Sequence, residues 1–242
     1  MRKTWTLILL FATTAASAHI PLTSAIVGDA FDEIAAAEAA VAAAESEQEK
    51  AAAVYALGVA AGKLTDLLNQ EIALHGTEQQ ELIDAAVAHA GERGITITWS
   101  DAHERYFYAG DAFRRHVALA GDSLEAANSR FHLIETGFYL GDPGDRAGLT
   151  QRIDMEREYL ARFPTLGNAG RVAMFLAVDY RDLWRLCVAA GDADCASGTA
   201  ARLRAHLEWT IEQFSNERTS GLARSFLERF DAERAALAPP SG

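Results

Sequence analysis

Apolar side chains return at alternating steps of three and four residues along almost the whole chain, the period of an α-helix with one buried face. Leu124, Ala127, Phe131, Ile134 and Phe138 follow this step, as do Leu149, Ile153, Leu160 and Phe163. Val172, Leu176, Tyr180, Leu183 and Cys187 continue it. Ala200, Leu203, Leu207, Ile211 and Phe214 come next, then Leu222, Phe226, Phe230 and Leu237. Gly121, the turn Gly141-Asp142-Pro143-Gly144 and Pro164 punctuate the stripes. The spacing therefore predicts helices from Ser100 to about Ala120, from Asp122 and Glu125 onward, over about 146–163 and 168–190, and two beyond. Connections this short force successive helices to pack antiparallel.

Upstream, Asp29 to about His75 is nearly unbroken helix former, with an alanine-rich stretch from Ala35 to Ala53. The polar segment Glu45–Lys50 is the expected turn of a helical hairpin, in which Ala39, Ala43, Gly58 and Gly62 let backbones approach. Thr77 and Gln80 form a capping-box signature for a third helix. Ile95-Thr96-Ile97-Thr98-Trp99 is the one convincingly extended run. A single strand makes no sheet, so it is expected to be a connector, with Trp99 plugging the junction.

Two segments of the second half can be overlaid. Phe113 to Phe131 and Tyr159 to Phe175 each carry an aromatic, a Gly- or Pro-containing loop, a small pair (Ala126-Ala127 against Ala169-Gly170) and a Phe. Tyr159-Leu160-Ala161-Arg162-Phe163-Pro164 followed by Ala169, Gly170 and Ala173 resembles the helix–loop–helix junction of tetratricopeptide-like (TPR-like) repeats, as in periplasmic helical-repeat proteins. The resemblance spans about residues 100–236; it implies an α-solenoid and protein or peptide binding, and carries over no catalytic residue. The period here is longer than the ~34 residues of that family.

Arg2 and Lys3, the apolar run Leu7–Ala12 and Ala16-Ser17-Ala18 read as a secretory signal cleaved after Ala18. The run is too short to span a bilayer. The expected organisation is thus a signal peptide (1–18), an acidic helical segment (19–94), a helical-repeat array (95–237) and a disordered tail (238–242), with a periplasmic or secreted location. The net charge is −12, and without Arg2 and Lys3 the chain has 20 basic and 34 acidic side chains, a net of −14. Nucleic acid and anionic lipid are poor partners for such a surface.

Cys187 and Cys195 flank the Gly191-Asp192-Ala193-Asp194 turn and are expected to form a disulfide, with two reduced thiols as the alternative. His103-Glu104 begins like a zinc-protease helix, but Phe107 stands where the second His is required. No metal or cofactor is expected. Gly58-Val59-Ala60-Ala61-Gly62-Lys63 lacks the spacing of a phosphate loop and reads as a helix-packing surface. Glu156 and Asp179 lie near apolar stripes; they form either a buried acid–base pair or, preferably, structural charges neutralised by Arg152, Arg181 or Arg185. Tyr106, Phe107 and Tyr108 are consecutive, and on a helix they cannot all face one core. Core packing is one outcome; the sharper expectation is a peptide-binding groove lined by Tyr108, Asp111 and Arg115.

The chain thus reads as all-α, antiparallel helix pairs stacked as a TPR-like α-solenoid behind an Ala-rich helical hairpin. Its expected work is protein or peptide binding, or scaffolding, in the cell envelope, without enzymatic activity and without a membrane anchor after cleavage. Two competitors remain. One is a helical-bundle metal-binding protein or enzyme using His103, His116 and His132; the other is a structural spacer oligomerising through the hairpin.

Overall fold

The computed structural model describes residues 22–76, 78–215 and 217–237. The expected leader with its cleavage after Ala18, the capping role of Thr77 and the tail from Ala238 lie outside the described residues. Nine helices hold 78% of the described residues beside one two-stranded sheet, so the chain is all-α in class.

Helices α1 (Ser24–Ala43) and α2 (Glu47–His75) form the alanine-rich hairpin. The break between them is set by Ser46: its hydroxyl accepts the Glu49 N–H while the Glu49 carboxylate accepts the Ser46 N–H, a reciprocal cap that starts a new helix. Ile34, Val54, Ala61, Leu64 and Leu68 are completely buried between these helices and their neighbours. A stretch of α2 is long and apolar enough to cross a membrane, but half of it is buried inside the protein, as a core helix would be. Helix α3 (Gln80–Glu92) adds Ile83, Ala86 and Ala90 to the same core.

The expected helix from Ser100 to Ala120 is not formed over its first half. Instead β1 (Ile97–Ser100) pairs antiparallel with β2 (Arg105–Tyr108), in the register Ile97 with Tyr108, Thr98 with Phe107, Trp99 with Tyr106 and Ser100 with Arg105. The extended run has a partner after all, and α4 spans only Asp111–Ala120. Strand geometry resolves the three adjacent aromatics: alternate side chains point to opposite faces, and Tyr106, Phe107 and Tyr108 are all buried. Trp99 does not plug a junction; it is 38% exposed and lies edge-on to Tyr106. Gly110, at φ 83°, turns the chain from β2 into α4 in a conformation other residues rarely adopt. Helix α4 then rides on α2 at Gly58, where an added Cβ would come within 2.6 Å of the Phe113 ring.

Helices α5 (Ala126–Leu140), α6 (Arg146–Arg162), α7 (Ala169–Ala189), α8 (Ala193–Gln213) and α9 (Arg218–Leu237) complete the chain, each packed on the next. Helix α5 starts later than expected, leaving Leu124 66% exposed; Leu222 and Leu237 also fall outside the core. One connector recurs. Between α4 and α5, Ser123 N–H donates to Ala120 O and Ala126 N–H to Ser123 O. Leu166 to Phe163 and Ala169 to Leu166 repeat the pattern before α7, and Glu217 to Phe214 and Ser220 to Glu217 repeat it before α9. Each time the chain ends in a fully buried small residue, Ala126, Ala169 or Ser220.

Buried side chains fall into two clusters, one from Leu22 to Phe113 and one from Ala127 to Phe230. The expected division at residue 95 does not coincide with this break, because Ile95, Ile97, Tyr106, Tyr108 and Phe113 all belong to the first cluster. The second cluster also encloses charge: Arg152 holds Asp179 through two hydrogen bonds, Nε to Oδ2 at 2.8 Å and Nη2 to Oδ1 at 3.2 Å.

Candidate functional site

At the seam between the two clusters lies a cleft of about 380 Å³. One wall is α2, through Val59, Gly62, Lys63 and Asp66; the facing wall is α5, through His132, Glu135, Thr136 and Tyr139. Strand β2 and Phe113 form the base, and Arg171 of α7 reaches the rim. Gly62 leaves room here, since an added Cβ would meet nothing within 4 Å. Of the two glycines in the phosphate-loop look-alike, Gly58 therefore serves helix packing and Gly62 borders open space. Lys63 is bonded to Glu33 at 2.7 Å.

The cleft is walled by rings. Phe107 stacks on Tyr139 (5.3 Å between centroids), Tyr139 meets Phe175 edge-on, and Phe138 stacks on Phe175 at 4.3 Å. This ladder joins the hairpin to the second cluster. His132 lies flat on Phe113 at 4.5 Å, and burial holds its pKa below the ordinary imidazole value, against the opposing pull of Glu135 and Asp66. Arg171 pairs with Glu135 and sits over the faces of Phe131 and Phe175. Arg105 stands over Phe107 at 5.0 Å, and no carboxylate pairs with it among the described residues.

Of the expected groove residues, only Tyr108 lines this cleft. Its hydroxyl is turned inward, accepting the Ala112 N–H at 2.7 Å, and burial pushes its pKa up to about 12. Its carbonyl accepts the Thr136 hydroxyl. Asp111 does not point at the cleft: Oδ2 accepts the Thr96 N–H at 3.0 Å and Oδ1 pairs with Arg114. Arg115 is exposed on the outer face of α4. The structure therefore does not bring Tyr108, Asp111 and Arg115 together. The sequence does not single out Arg105, Tyr139 or Arg171 for the site; it marks His132 only as a candidate metal ligand and Phe107 only within the aromatic run. Reading Arg105–Tyr108 with a period of two would have put Arg105 and Phe107 on one face.

His103, His116 and His132 have separate surroundings. His103 meets Tyr139 and Phe107 edge-on, while His116 is buried with Nδ1 at 2.8 Å from Ser129 Oγ. Among the described residues no group of three or more His, Cys, Asp or Glu is placed to share a metal ion. Asp179 has both oxygens held by Arg152, while burial pushes its pKa above the ordinary carboxylate value. Glu156 beside it is completely buried, and neither of its oxygens finds a hydrogen-bond partner among the described residues. Burial first, then the nearby Asp179 charge, raise its pKa to about 9, so it keeps its proton at neutral pH. Arg185 is engaged elsewhere, by Glu233 at 2.6 Å, and Arg181 lies nearest Asp182. The Cys187–Cys195 disulfide is formed, with Cα atoms 5.6 Å apart.

The fold and the cleft define the class: a mostly helical protein with a ring-walled, partly cationic recess at its internal seam. No protein-family model matches the chain, and no curated protein matches it.

Proposed function

We propose that this is an exported helical-repeat protein that binds a peptide segment of a partner in the cell envelope, and that the cleft between α2, β2 and α5 holds it. The cleft carries the proposal: its walls are rigid aromatic surfaces, which bind at small cost in side-chain entropy. Its lining has three cations, Lys63, Arg105 and Arg171, against two carboxylates, Asp66 and Glu135, in a chain whose net charge is −12. An acidic residue beside an apolar or aromatic one is the segment that fits, its carboxylate meeting Arg105 and its ring meeting Phe107 and Tyr139.

Three recurring connectors and neighbour-to-neighbour packing of α4 to α9 support stacked helix pairs of the TPR-like kind. The leader, from Arg2 to Ala18, and the disulfide support an oxidising, extracytoplasmic location. The role assigned is binding, not catalysis.

A random peptide library panned against the protein tests the proposal, with Gly62→Trp as the blocked control. A Cβ at Gly62 would meet no atom within 4 Å, and the position borders the cleft, so a large side chain built there projects from open space. Enrichment of acidic–aromatic peptides by the wild type, lost in Gly62→Trp and weakened in Arg105→Gln, is expected. No enrichment, or equal binding to Gly62→Trp, overturns it.

A further inference from the structure

The Cys187–Cys195 bridge is asymmetric. Cys187 is fully buried near the end of α7, whereas Cys195 is half-buried and walls an open recess of about 320 Å³ together with Arg146, Thr150 and Arg202. Arg146 Nη2 lies 3.1 Å from Cys195 Sγ. Cys195 is also the third residue of α8, a helix of 21 residues, so its sulfur sits at the positive end of the backbone dipole. Thr199, one turn on, brings its hydroxyl to 4.0 Å from the same sulfur. Two carboxylates oppose these groups. Asp192 accepts the Cys195 N–H through Oδ1 and lies 3.4 Å from Arg146 through Oδ2, while Asp194 is on the recess wall. Asp192 draws on the same two groups, the N–H at the helix end and Arg146, but Arg146 Nη2 lies nearer the sulfur, at 3.1 Å, than the Asp192 carboxylate, at 3.4 Å, so the sulfur shares both the guanidinium and the helix end.

We propose that Cys187 and Cys195 form a dithiol–disulfide exchange pair, with Cys195 as the outward, reactive sulfur and the adjoining Arg146–Arg202 recess as the seat of a carboxylate-bearing disulfide. In the reduced protein the Cys195 thiolate attacks one sulfur of the substrate, making a mixed disulfide and expelling the other substrate sulfur as a thiolate. Cys187 then loses its proton to solvent and attacks Cys195 Sγ. That step expels the second substrate thiolate and restores the Cys187–Cys195 bond. Two electrons pass from protein to substrate, and a dithiol reductant returns them by attack on the accessible Cys195 sulfur. Buried Cys187 resolves; it does not initiate. The site is independent of the peptide cleft.

Full-length protein reduced with dithiothreitol and freed of excess reagent provides the test. Iodoacetamide alkylation of each cysteine is followed by peptide mass spectrometry across pH, and exchange is followed with dithiobis(nitrobenzoate), a disulfide bearing two carboxylates. Cys195 is expected to react about tenfold faster than Cys187, with a pH midpoint below the ~8.5 of an unperturbed thiol. Reaction with dithiobis(nitrobenzoate) is expected to re-form the internal bridge, and Arg146→Gln to raise the midpoint and slow exchange by roughly threefold. Equal alkylation of both cysteines, a wild-type midpoint at or above the ordinary value, or rates indifferent to Arg146→Gln would overturn the proposal. If Arg146→Gln does not fold, the wild-type midpoint and the ratio of the two alkylation rates decide alone.

Discussion

Between Leu22 and Phe113 the core is mostly alanine and aliphatic side chains with few rings; between Ala127 and Phe230 rings are as numerous as Val, Leu and Ile, with Arg152 and Asp179 enclosed among them. In the first region Ala37, Ala51, Ala60, Ala61, Ala86 and Ala90 are buried, and at Gly58 a ring rests against bare backbone. Close approach does the holding there, and added volume is what damages it. In the second region large side chains and paired charges do the holding, and loss of a partner is what damages it. The cleft lies where one kind of packing meets the other.

The contrast can be broken most severely at Arg152. Replacing it by Met strands the Asp179 carboxylate, and urea denaturation is expected to show a loss of roughly 3–5 kcal/mol; a loss under 1 kcal/mol would mean that the pair is not enclosed in solution.

Glu156 sharpens the same region with pH. Its folded pKa, about 9, lies above the value of an unfolded carboxyl. Between those values the folded chain keeps a proton that the unfolded chain has released, so stability from this group falls as pH rises from about 4.5 to 9. Glu156→Gln is expected to flatten that slope and to stabilise the protein at pH 8 by on the order of 1–3 kcal/mol. Parallel stability–pH curves for the two proteins would refute the assignment.

In the alanine-built region Gly58→Ala and Gly62→Ala should move in opposite directions, although the two positions lie one turn apart on α2. The first pushes a methyl into Phe113 and is expected to cost about 1–3 kcal/mol. The second meets open space in a helix interior and is expected to add about 0.5–1 kcal/mol. Thermal melts that ranked them the other way would contradict the α2–α4 contact. Least of all should depend on the exposed Lys63–Glu33 pair, where Lys63→Gln is expected to change stability by no more than about 0.5 kcal/mol.

The helices of the ring-built region were legible in the sequence because each stripe is long and those of α5, α6 and α7 end at Gly141, Pro164 and Gly191: α6 and α7 begin and end within a residue of where Arg146, Phe163, Asn168 and Ala190 placed them. The β-hairpin was not legible. Tyr106, Gly110, Phe113 and Val117 fit helical spacing as well as Arg105–Tyr108 fits a strand, and the turn between the strands carries no glycine; Glu104 itself adopts φ 48°. Pairing with β1 decided the matter, and pairing is a tertiary event. The cleft was hidden for the same reason, since Gly62, Arg105, Tyr139 and Arg171 come from four elements that local periodicity cannot bring together. The groove expected from Tyr108, Asp111 and Arg115 assumed one continuous helix, whereas Tyr108 ends β2 and the turn at Gly110 separates it from Asp111 and Arg115 on α4.

Backbone hydrogen exchange, with and without a peptide recovered from the library, tests most directly whether the seam between the two cores is the working surface. Slower exchange in Arg105–Tyr108 and along His132–Tyr139, with α8 and α9 unchanged and the effect absent in Gly62→Trp, is the expected result. Protection confined to α8 and α9, or undiminished in Gly62→Trp, would contradict it.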